Sequence, residues 1–586
     1  MGFAPVRFSA LDRGATLARV VREDFDLLVV GGGIVGAAAA WDAALRGLRV
    51  AVLDKGDFAS GASSKSSKLL HGGLRYLETG QVGLVYESLA QRNRLFEDAA
   101  HVAQRLDFVL PIFRDGPDRG WLIRAGLTLY DLLSHLSFPK GPWHRRLSPI
   151  QVAQKEPAVR QAALDTAYCY LDGVTEDARL VIETVKSAVS AGALALNYVE
   201  IKGFQKNADG QVIGVVAQDV HQGGGHPLEI RASRVMLATG PWLDVMLQMD
   251  DASSPRKLRP TKGVHLLVEA RLTSSAVLMR SADPKEKKKR LLFAIPWQGR
   301  TLLGTTDTDP DPLDPSKDYL DADCEVSRDE VNYVLAAANQ TFGSRLSPHD
   351  VISSFAGWRP LIAPLDQGMS ASAVSREHEI FETPSGLLAI AGGKLTSYRT
   401  MARQAVDRVC VSLRTGGKET TASVIEKQPL SGSELHGRRL DTWVLAAKGD
   451  PPPCLDAQSA EILAARYGSN WPILRALLIE APDLAARLTA SDSPVPYWRV
   501  EVAYALRHEF ALTPEDFLMR RTRLFLVTGD QGLGLVSEVA ALMADLYAER
   551  EGWSSEERLA WIQRMIDRYE ERVRLSRQTR GAAEDK

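Results

Sequence analysis

The first regular pattern along the chain begins at Asp24. Phe25-Asp26-Leu27-Leu28-Val29-Val30 is a short apolar, β-branched run that predicts a strand. It meets Gly31-Gly32-Gly33-Ile34-Val35-Gly36. Ala37 to Leu45 are strong helix formers, with Gly47 where a helix would be capped. Leu48 to Asp54 reads as the next strand. The pattern is a βαβ unit of about 30 residues. Residues 1–22 read as a polar lead-in, and 85–135 as mostly helical. Another helix is expected over 175–195, beginning near Glu176-Asp177. Short strands are expected at Ala195–Gly203, Val212–Gln218 and Arg234–Ala238, the last running into Thr239-Gly240. More follow at Val264–Val268, Leu291–Ile295 and Thr301–Gly304. Helix returns over 324–345. Leu387–Ala391 is a strand leading to Gly392-Gly393-Lys394, then a helix from about Thr396 to Leu413.

Residues 414–455 are rich in Gly, Ser, Lys and Pro and read as a linker. The texture then changes. Thr513-Pro514-Glu515-Asp516 has the cap, proline and acids of a helix start, and Ser554 to Glu557 is a capping box. Leu559, Ile562, Ile566, Tyr569 and Val573 recur at helical spacing behind it. Residues 456–575 are therefore expected to form an all-helical C-terminal domain, with a disordered tail over the last ten residues.

The length of 586 residues exceeds a single core, which stops growing near ~250–300 residues. The 71 basic and 73 acidic residues leave a net charge of -2, which gives no support to a nucleic-acid partner. The four cysteines, at 169, 324, 410 and 454, form no C-x-x-C pair, and their number suits a reducing compartment. No signal peptide or membrane span is expected.

Gly31, Gly33 and Gly36 fit G-x-G-x-x-G: the first allows the tight turn, the second lets a pyrophosphate approach, the third lets helix pack on strand. The helix N-terminus behind them offers amide donors to phosphate. Asp54, about 20 residues on, is placed to accept ribose hydroxyls, and an acid there argues against NADP. A second glycine turn, Gly392-Gly393, lies far down the chain. A cofactor touched at both ends of the sequence points to an extended FAD held by an interrupted domain.

Ser63-Ser64-Lys65-Ser66-Ser67-Lys68-Leu69-Leu70-His71-Gly72-Gly73-Leu74-Arg75-Tyr76-Leu77-Glu78 closely resembles the signature of FAD-dependent, quinone-linked glycerol-3-phosphate dehydrogenases. Gly392-Gly393-Lys394-Leu395-Thr396-Ser397-Tyr398-Arg399 resembles that family's second signature. Lys262 to His265, Ile295 to Trp297, Gly304 to Asp307, Gly357 to Leu361 and Met519 to Arg523 fall in the expected order. Small departures are Asp54 for glutamate, Ser397 for threonine, and Trp358 before the arginine.

The resemblance implies a fold of mixed α/β and α+β class: a Rossmann-like FAD-binding domain of the glutathione-reductase or D-amino-acid-oxidase type, a mixed-sheet substrate domain, and the helical C-terminal domain. The FAD-binding segments are expected at 24–100, 171–250 and 356–413, with substrate segments at 101–170 and 251–355. It implies oxidation of sn-glycerol 3-phosphate to dihydroxyacetone phosphate with FAD as cofactor and a membrane quinone as acceptor. A peripheral place on the inner, cytoplasmic face of the cell membrane follows. A homodimer is left open. The alternative is an oxidase that reduces oxygen to hydrogen peroxide.

A phosphate dianion held away from water needs fixed cations, and oxidation at C2 needs a base for the hydroxyl proton. Arg75, Arg359 and Lys394 supply the cations within the matching motifs, and Arg359 suits a bidentate phosphate contact. His265 is the candidate base, with Arg359 and Lys394 beside it in the catalytic set. Tyr76 and Thr306 are placed to bond the glycerol hydroxyls. Ser64, Ser67, Lys68, Gly72, Gly73, Thr239, Gly240, Gly393, Leu395 and Thr396 join Gly31, Gly33, Gly36, Asp54 and Lys394 as expected cofactor neighbours. No metal site is expected: Asp307-Thr-Asp309-Pro-Asp311 opens like a calcium loop but has proline where glycine is needed. The basic run Lys285 to Arg290 reads as a solvated loop.

Overall fold

The computed structural model describes residues 8–139, 141–221, 225–284, 286, 289–309, 324, 326–363, 378–491 and 493–581, with Arg75, Thr79 and 578–581 described by backbone alone. Most of the Lys285–Lys288 run, Asp311, Asp318 and the tail beyond 581 lie outside the described residues.

Three stretches of chain meet in one six-stranded sheet. Its order is His378–Glu382, Leu388–Gly392, Val235–Leu237, Leu27–Val30, Val50–Leu53, Leu194–Leu196. All neighbours run parallel except the outermost pair, His378–Glu382 with Leu388–Gly392. Every residue of Leu27–Val30 and Val50–Leu53 is buried, which is why these runs are uniformly apolar rather than alternating. The alanine-rich helix Ile34–Leu45 packs against Asp177–Ser190 and Tyr398–Thr415. Gly31–Gly36 therefore follows the central strand at its C-terminal end, where such sheets bind ligands.

A nine-stranded sheet stands over that end. Along its path lie Val351–Arg359, Thr261–Val268, Arg300–Gly304, Leu291–Trp297, Ala276–Arg280, Ala103–Phe113, Leu164–Thr175 and Leu69–Leu70, with Arg145–Leu147 paired beside Leu164–Thr175. A three-stranded sheet, Val199–Lys206, Val212–Asp219 and Leu228–Arg231, flanks the first. The C-terminal region is helical, with Leu440–Gly449, Ala457–Tyr467, Trp471–Glu480, Arg499–His508, Leu533–Glu551 and Ser555–Gly581 as its main helices. Buried Asp57, just after the second strand, ties the two parts together. It accepts from Arg520 Nε at 2.5 Å and from Arg521 Nη1 at 2.7 Å. Burial alone would raise its pKa, but Arg521 and Arg520 hold it down to about 2.

The structure corrects several sequence expectations. The stretch 85–135 holds two helices, Val82–Asp98 and Gly120–Ser137, separated by the long strand Ala103–Phe113. The expected strand at 195–203 is two strands, broken at Asn197-Tyr198, where Tyr198 has φ +58. The expected linker is packed: Ile425 and Leu430 are fully buried in the main core, and Leu440–Gly449 is a helix. Within the lead-in, Arg13–Arg22 is helical and Arg13 is anchored to Asp219 at 2.6 Å. The last helix runs to Gly581, into the expected tail. Among the described residues, no helix is long and apolar enough to cross a membrane.

Candidate active site

A cavity of about 760 Å3 lies between the parallel sheet and the overlying nine-stranded sheet. That is toward the large end of the range for ligand sites. Its floor is the Gly31 turn. Gly31 has φ +107, and a Cβ there would stand 2.5 Å from the Ala238 carbonyl oxygen, so only glycine fits. Gly36 does not face the cavity: its missing side chain lets the helix sit on the strand, since a Cβ would fall 1.9 Å from the Gly31 oxygen. Gly33 lines the wall at the start of Ile34–Leu45. The Ile34 amide donates to the Ser63 hydroxyl at 3.0 Å.

Asp54 closes one end. Its carboxylate accepts from the amides of Gly32 at 2.6 Å and Gly56 at 2.8 Å, which fixes its orientation. Burial pushes the carboxyl up to about 6, against the pull of those amides. Lys55 and Trp242 stand beside it, the ammonium 4.7 Å from the indole centroid. Thr239 and Gly240 line the opposite wall, and the buried Thr239 hydroxyl has no partner within the protein. Gly392 to Thr396 also border the cavity, just ahead of the helix Tyr398–Thr415.

The far end gathers the expected catalytic groups. His265 is 1 % exposed and stacks on Phe355, with centroids 4.9 Å apart. Its Nε2 lies 2.8 Å from the Ser67 hydroxyl, and its Nδ1 is buried without a partner. Burial first, then the charges of Arg359 and Lys68, hold the imidazole well below its ordinary pKa. Arg359 projects from the end of Val351–Arg359. Its Nη2 donates to the Thr305 hydroxyl at 2.8 Å, and its Nη1 to the Thr306 carbonyl at 3.1 Å and Asp307 at 3.2 Å. Gly263 leaves room for this guanidinium, since a Cβ there would fall 2.3 Å from Nη2. Lys394 lies over the Tyr76 ring, 3.7 Å from its centroid, and donates to Ser88 at 3.4 Å.

Gly31, Gly33, Asp54, Ser67, Tyr76, Thr239, Gly240, His265, Arg359, Gly393, Lys394, Leu395 and Thr396 thus border one cavity. Others lie elsewhere. Lys68, with φ +58, turns its ammonium inward to Asp177 at 3.0 and 3.1 Å, a carboxylate that Arg523 also engages. It is fully buried and pushed down to about 8, by desolvation first. The buried Thr306 hydroxyl accepts from the Val264 amide at 3.0 Å, so it braces the Arg359 shelf. Gly72 and Gly73 form a turn: the Gly72 amide donates to the Tyr130 hydroxyl at 2.8 Å, while neighbouring His71 faces the cavity. Ser64 borders a second cavity of about 330 Å3. Arg75 is placed by backbone in the turn Leu74–Thr79, and its side chain lies outside the described residues.

Sequence reasoning missed Ser63, Lys55, Trp242 and Arg572. Ser63 opens the quoted motif, and its place in that serine run was the available signal; the structure adds that it accepts the Ile34 amide at the helix N-terminus. Arg572 comes from the last helix, and no local pattern links it to the cavity.

These features accommodate FAD: a glycine turn opening a helix, a carboxylate for ribose, a hydroxyl left unpaired in the wall, and cations at the remote end. The comparisons agree. Residues 26–399 match the family described as FAD dependent oxidoreductase, and residues 423–558 match the C-terminal domain of alpha-glycerophosphate oxidase. The aerobic glycerol-3-phosphate dehydrogenase of Bacillus subtilis is 35% identical, over 94% of this chain and 95% of its own. That of Staphylococcus haemolyticus is 36% identical, over 88% and 89%. The glycerol-3-phosphate dehydrogenase of Bacillus halodurans complexed with FAD superposes with a TM-score of 0.72 at 31% identity, covering 97% of this chain and 98% of that one. The chain belongs to the FAD dependent oxidoreductases and, within them, to the aerobic glycerol-3-phosphate dehydrogenases. Its cofactor is FAD.

Proposed function

We propose that this chain oxidises sn-glycerol 3-phosphate to dihydroxyacetone phosphate at the His265–Arg359–Lys394 end of the cavity and passes the electrons to a membrane quinone. The observation that carries the reading is the placement of two cations and a buried imidazole in the same cavity as the glycine turn. Bound FAD supplies the two-electron acceptor for the C2 hydride. Arg359 binds the phosphate, with its fork braced by Thr305, Thr306 and Asp307. Lys394 orients the substrate and offsets negative charge developing at the C2 oxygen. His265 takes the C2 hydroxyl proton at Nε2, the nitrogen that faces Ser67. A phosphate dianion beside Arg359 neutralises one of the charges that depress the imidazole, so the base strengthens as substrate binds. Arg75 is the further phosphate ligand and Tyr76 a glycerol contact.

The enzyme is proposed to work on the inner face of the cell membrane. One observation favours a second reading, the peroxide-forming oxidase: the C-terminal region matches a family described from alpha-glycerophosphate oxidase. Peroxide measured per dihydroxyacetone phosphate formed, in air and with a soluble quinone analogue, separates the two. Near-stoichiometric peroxide in the presence of the quinone analogue overturns the quinone reading.

A further inference from the structure

The Ser67 hydroxyl reaches His265 because the residues on either side of it are tied to one buried carboxylate. Ser66 donates its amide, at 3.2 Å, and its hydroxyl, at 2.7 Å, to the same oxygen of Asp177. Lys68 donates its ammonium to both oxygens of Asp177 and its amide to the Ser66 hydroxyl at 2.9 Å. The Lys68 carbonyl accepts from the Thr175 amide at 2.8 Å, so the loop is pinned from behind as well. Asp177 is fully buried at the start of the helix Asp177–Ser190. It also supports the other side of the imidazole: the Lys68 ammonium that it holds lies 4.9 Å from the centroid of Phe355, the ring on which His265 stacks.

The C-terminal region completes this arrangement. The chain winds as a π-helical turn over Phe517–Arg521, and Arg523, two residues on, has φ +67. Such departures from regular backbone cluster where a side chain must be aimed. Arg523 is 5% exposed and donates through Nη2 to Asp177 and through Nη1 to the Met519 carbonyl at 3.3 Å. Its Nε stands 4.0 Å from Glu176. Two cations and two carboxylates thus balance one another out of water, and loss of one leaves a buried charge uncompensated. Burial would raise the Asp177 carboxyl, but Lys68 and Arg523 hold it below its ordinary value, so it stays ionised.

We propose that Asp177 and Arg523 are positioning residues for the Ser67–His265 pair, so that the C-terminal helical region takes part in the proton step. Both stand behind the wall of the main cavity and act through the motif loop. The proposal rests on the reading of His265 as the base.

The test is stopped-flow reduction of the flavin by glycerol 3-phosphate without oxygen, on full-length, flavin-loaded protein, with rates expressed per bound flavin. Arg523→Gln removes the charge that faces Asp177. Ser66→Ala removes one tether of the same loop and takes its place if Arg523→Gln does not retain flavin. The limiting reduction rate is expected to fall about tenfold, because a small displacement of the base is costly. The half-saturating glycerol 3-phosphate concentration should stay within about twofold, since Arg359 is untouched. In a His265→Ala background the same change should slow reduction no further, because residues that act through one group are not additive. A merely structural role would instead multiply the two losses. An unchanged rate in the single variant, or a full further loss on top of a slow His265→Ala, overturns the proposal and leaves the base reading standing. A normal rate in His265→Ala itself overturns the base reading and the proposal with it.

Discussion

The Ser67 hydroxyl lies 2.8 Å from Nε2 of His265, whose other ring nitrogen is buried and unpaired. Either tautomer leaves Nδ1 unsatisfied, so the proton chemistry of this ring goes through Nε2. Burial, Arg359 and Lys68 depress the imidazole far below its usual range. A depressed base stays neutral and competent down to low pH. The kcat/KM of flavin-loaded enzyme, which reports the substrate-free protein, should therefore show no acid limb from histidine near pH ~6.5. His265→Ala should lower kcat by about 10²–10⁴-fold, with partial recovery at high pH. A stopped-flow pH profile checks both. A titration near 6.5 that vanishes in the variant would contradict the buried, neutral imidazole.

Arg359 shows why a charge-conserving change is not conservative here. Lysine cannot reproduce the contacts to Thr305, Thr306 and Asp307 while also presenting a fork to phosphate. Arg359→Lys should reduce kcat/KM by about 10–100-fold, mainly through KM, with kcat falling too if the C2 carbon is displaced. Steady-state kinetics with an artificial electron acceptor read this directly. Near-normal kcat/KM would remove Arg359 from the phosphate site.

Asp54 gives cofactor retention a pH dependence. Its carboxyl, pushed up to about 6 by burial, must be ionised to accept ribose hydroxyls. The ionised form predominates above that pKa and is lost below it. FAD affinity should thus fall as pH drops through 6, by up to about tenfold per unit. Asp54→Asn should flatten the curve at the weaker level. Flavin fluorescence after buffer exchange from about pH 7.5 to about pH 5 follows the release. A parent and variant with the same slope would show that another group controls it.

The two ends of the glycine turn should fail differently. Gly36→Ala places a methyl 1.9 Å from the Gly31 oxygen, so the helix must move and Tm should drop, at a cost of about 1–3 kcal/mol or more. A Cβ at Gly33 meets only the Ser63 side chain, its hydroxyl at 3.0 Å, so the backbone tolerates Gly33→Val. That variant should fold, by circular dichroism, yet hold no flavin. Full flavin occupancy in Gly33→Val would displace the phosphate path from this loop.

These cases show what was legible in the sequence. The Gly31 turn, the Asp54 acid and the caps at Thr513 and Ser554 are local devices, written within a few residues. The strand Ala103–Phe113 is not local: it is held by Leu164–Thr175, and its mixed burial leaves no clean period. Ile425 and Leu430 are isolated apolar residues in a polar stretch, and only the core they enter shows they are packed. The serine-rich motif showed that Lys68 was polar. Its inward turn depends on Asp177, a partner set by the tertiary fold. Arg520 and Arg521 likewise find Asp57 across the domain seam.

The central claim is that glycerol 3-phosphate gives its electrons to FAD held in this cavity. The most direct measurement is the absorption spectrum of the purified protein, recorded anaerobically before and after glycerol 3-phosphate is added. The account predicts an oxidised flavin band near about 450 nm that bleaches on mixing, with dihydroxyacetone phosphate formed in equal amount. It further predicts that Gly33→Val shows no such band. A flavin band that stays unchanged at saturating glycerol 3-phosphate, or substrate oxidation by a preparation without flavin, would contradict it.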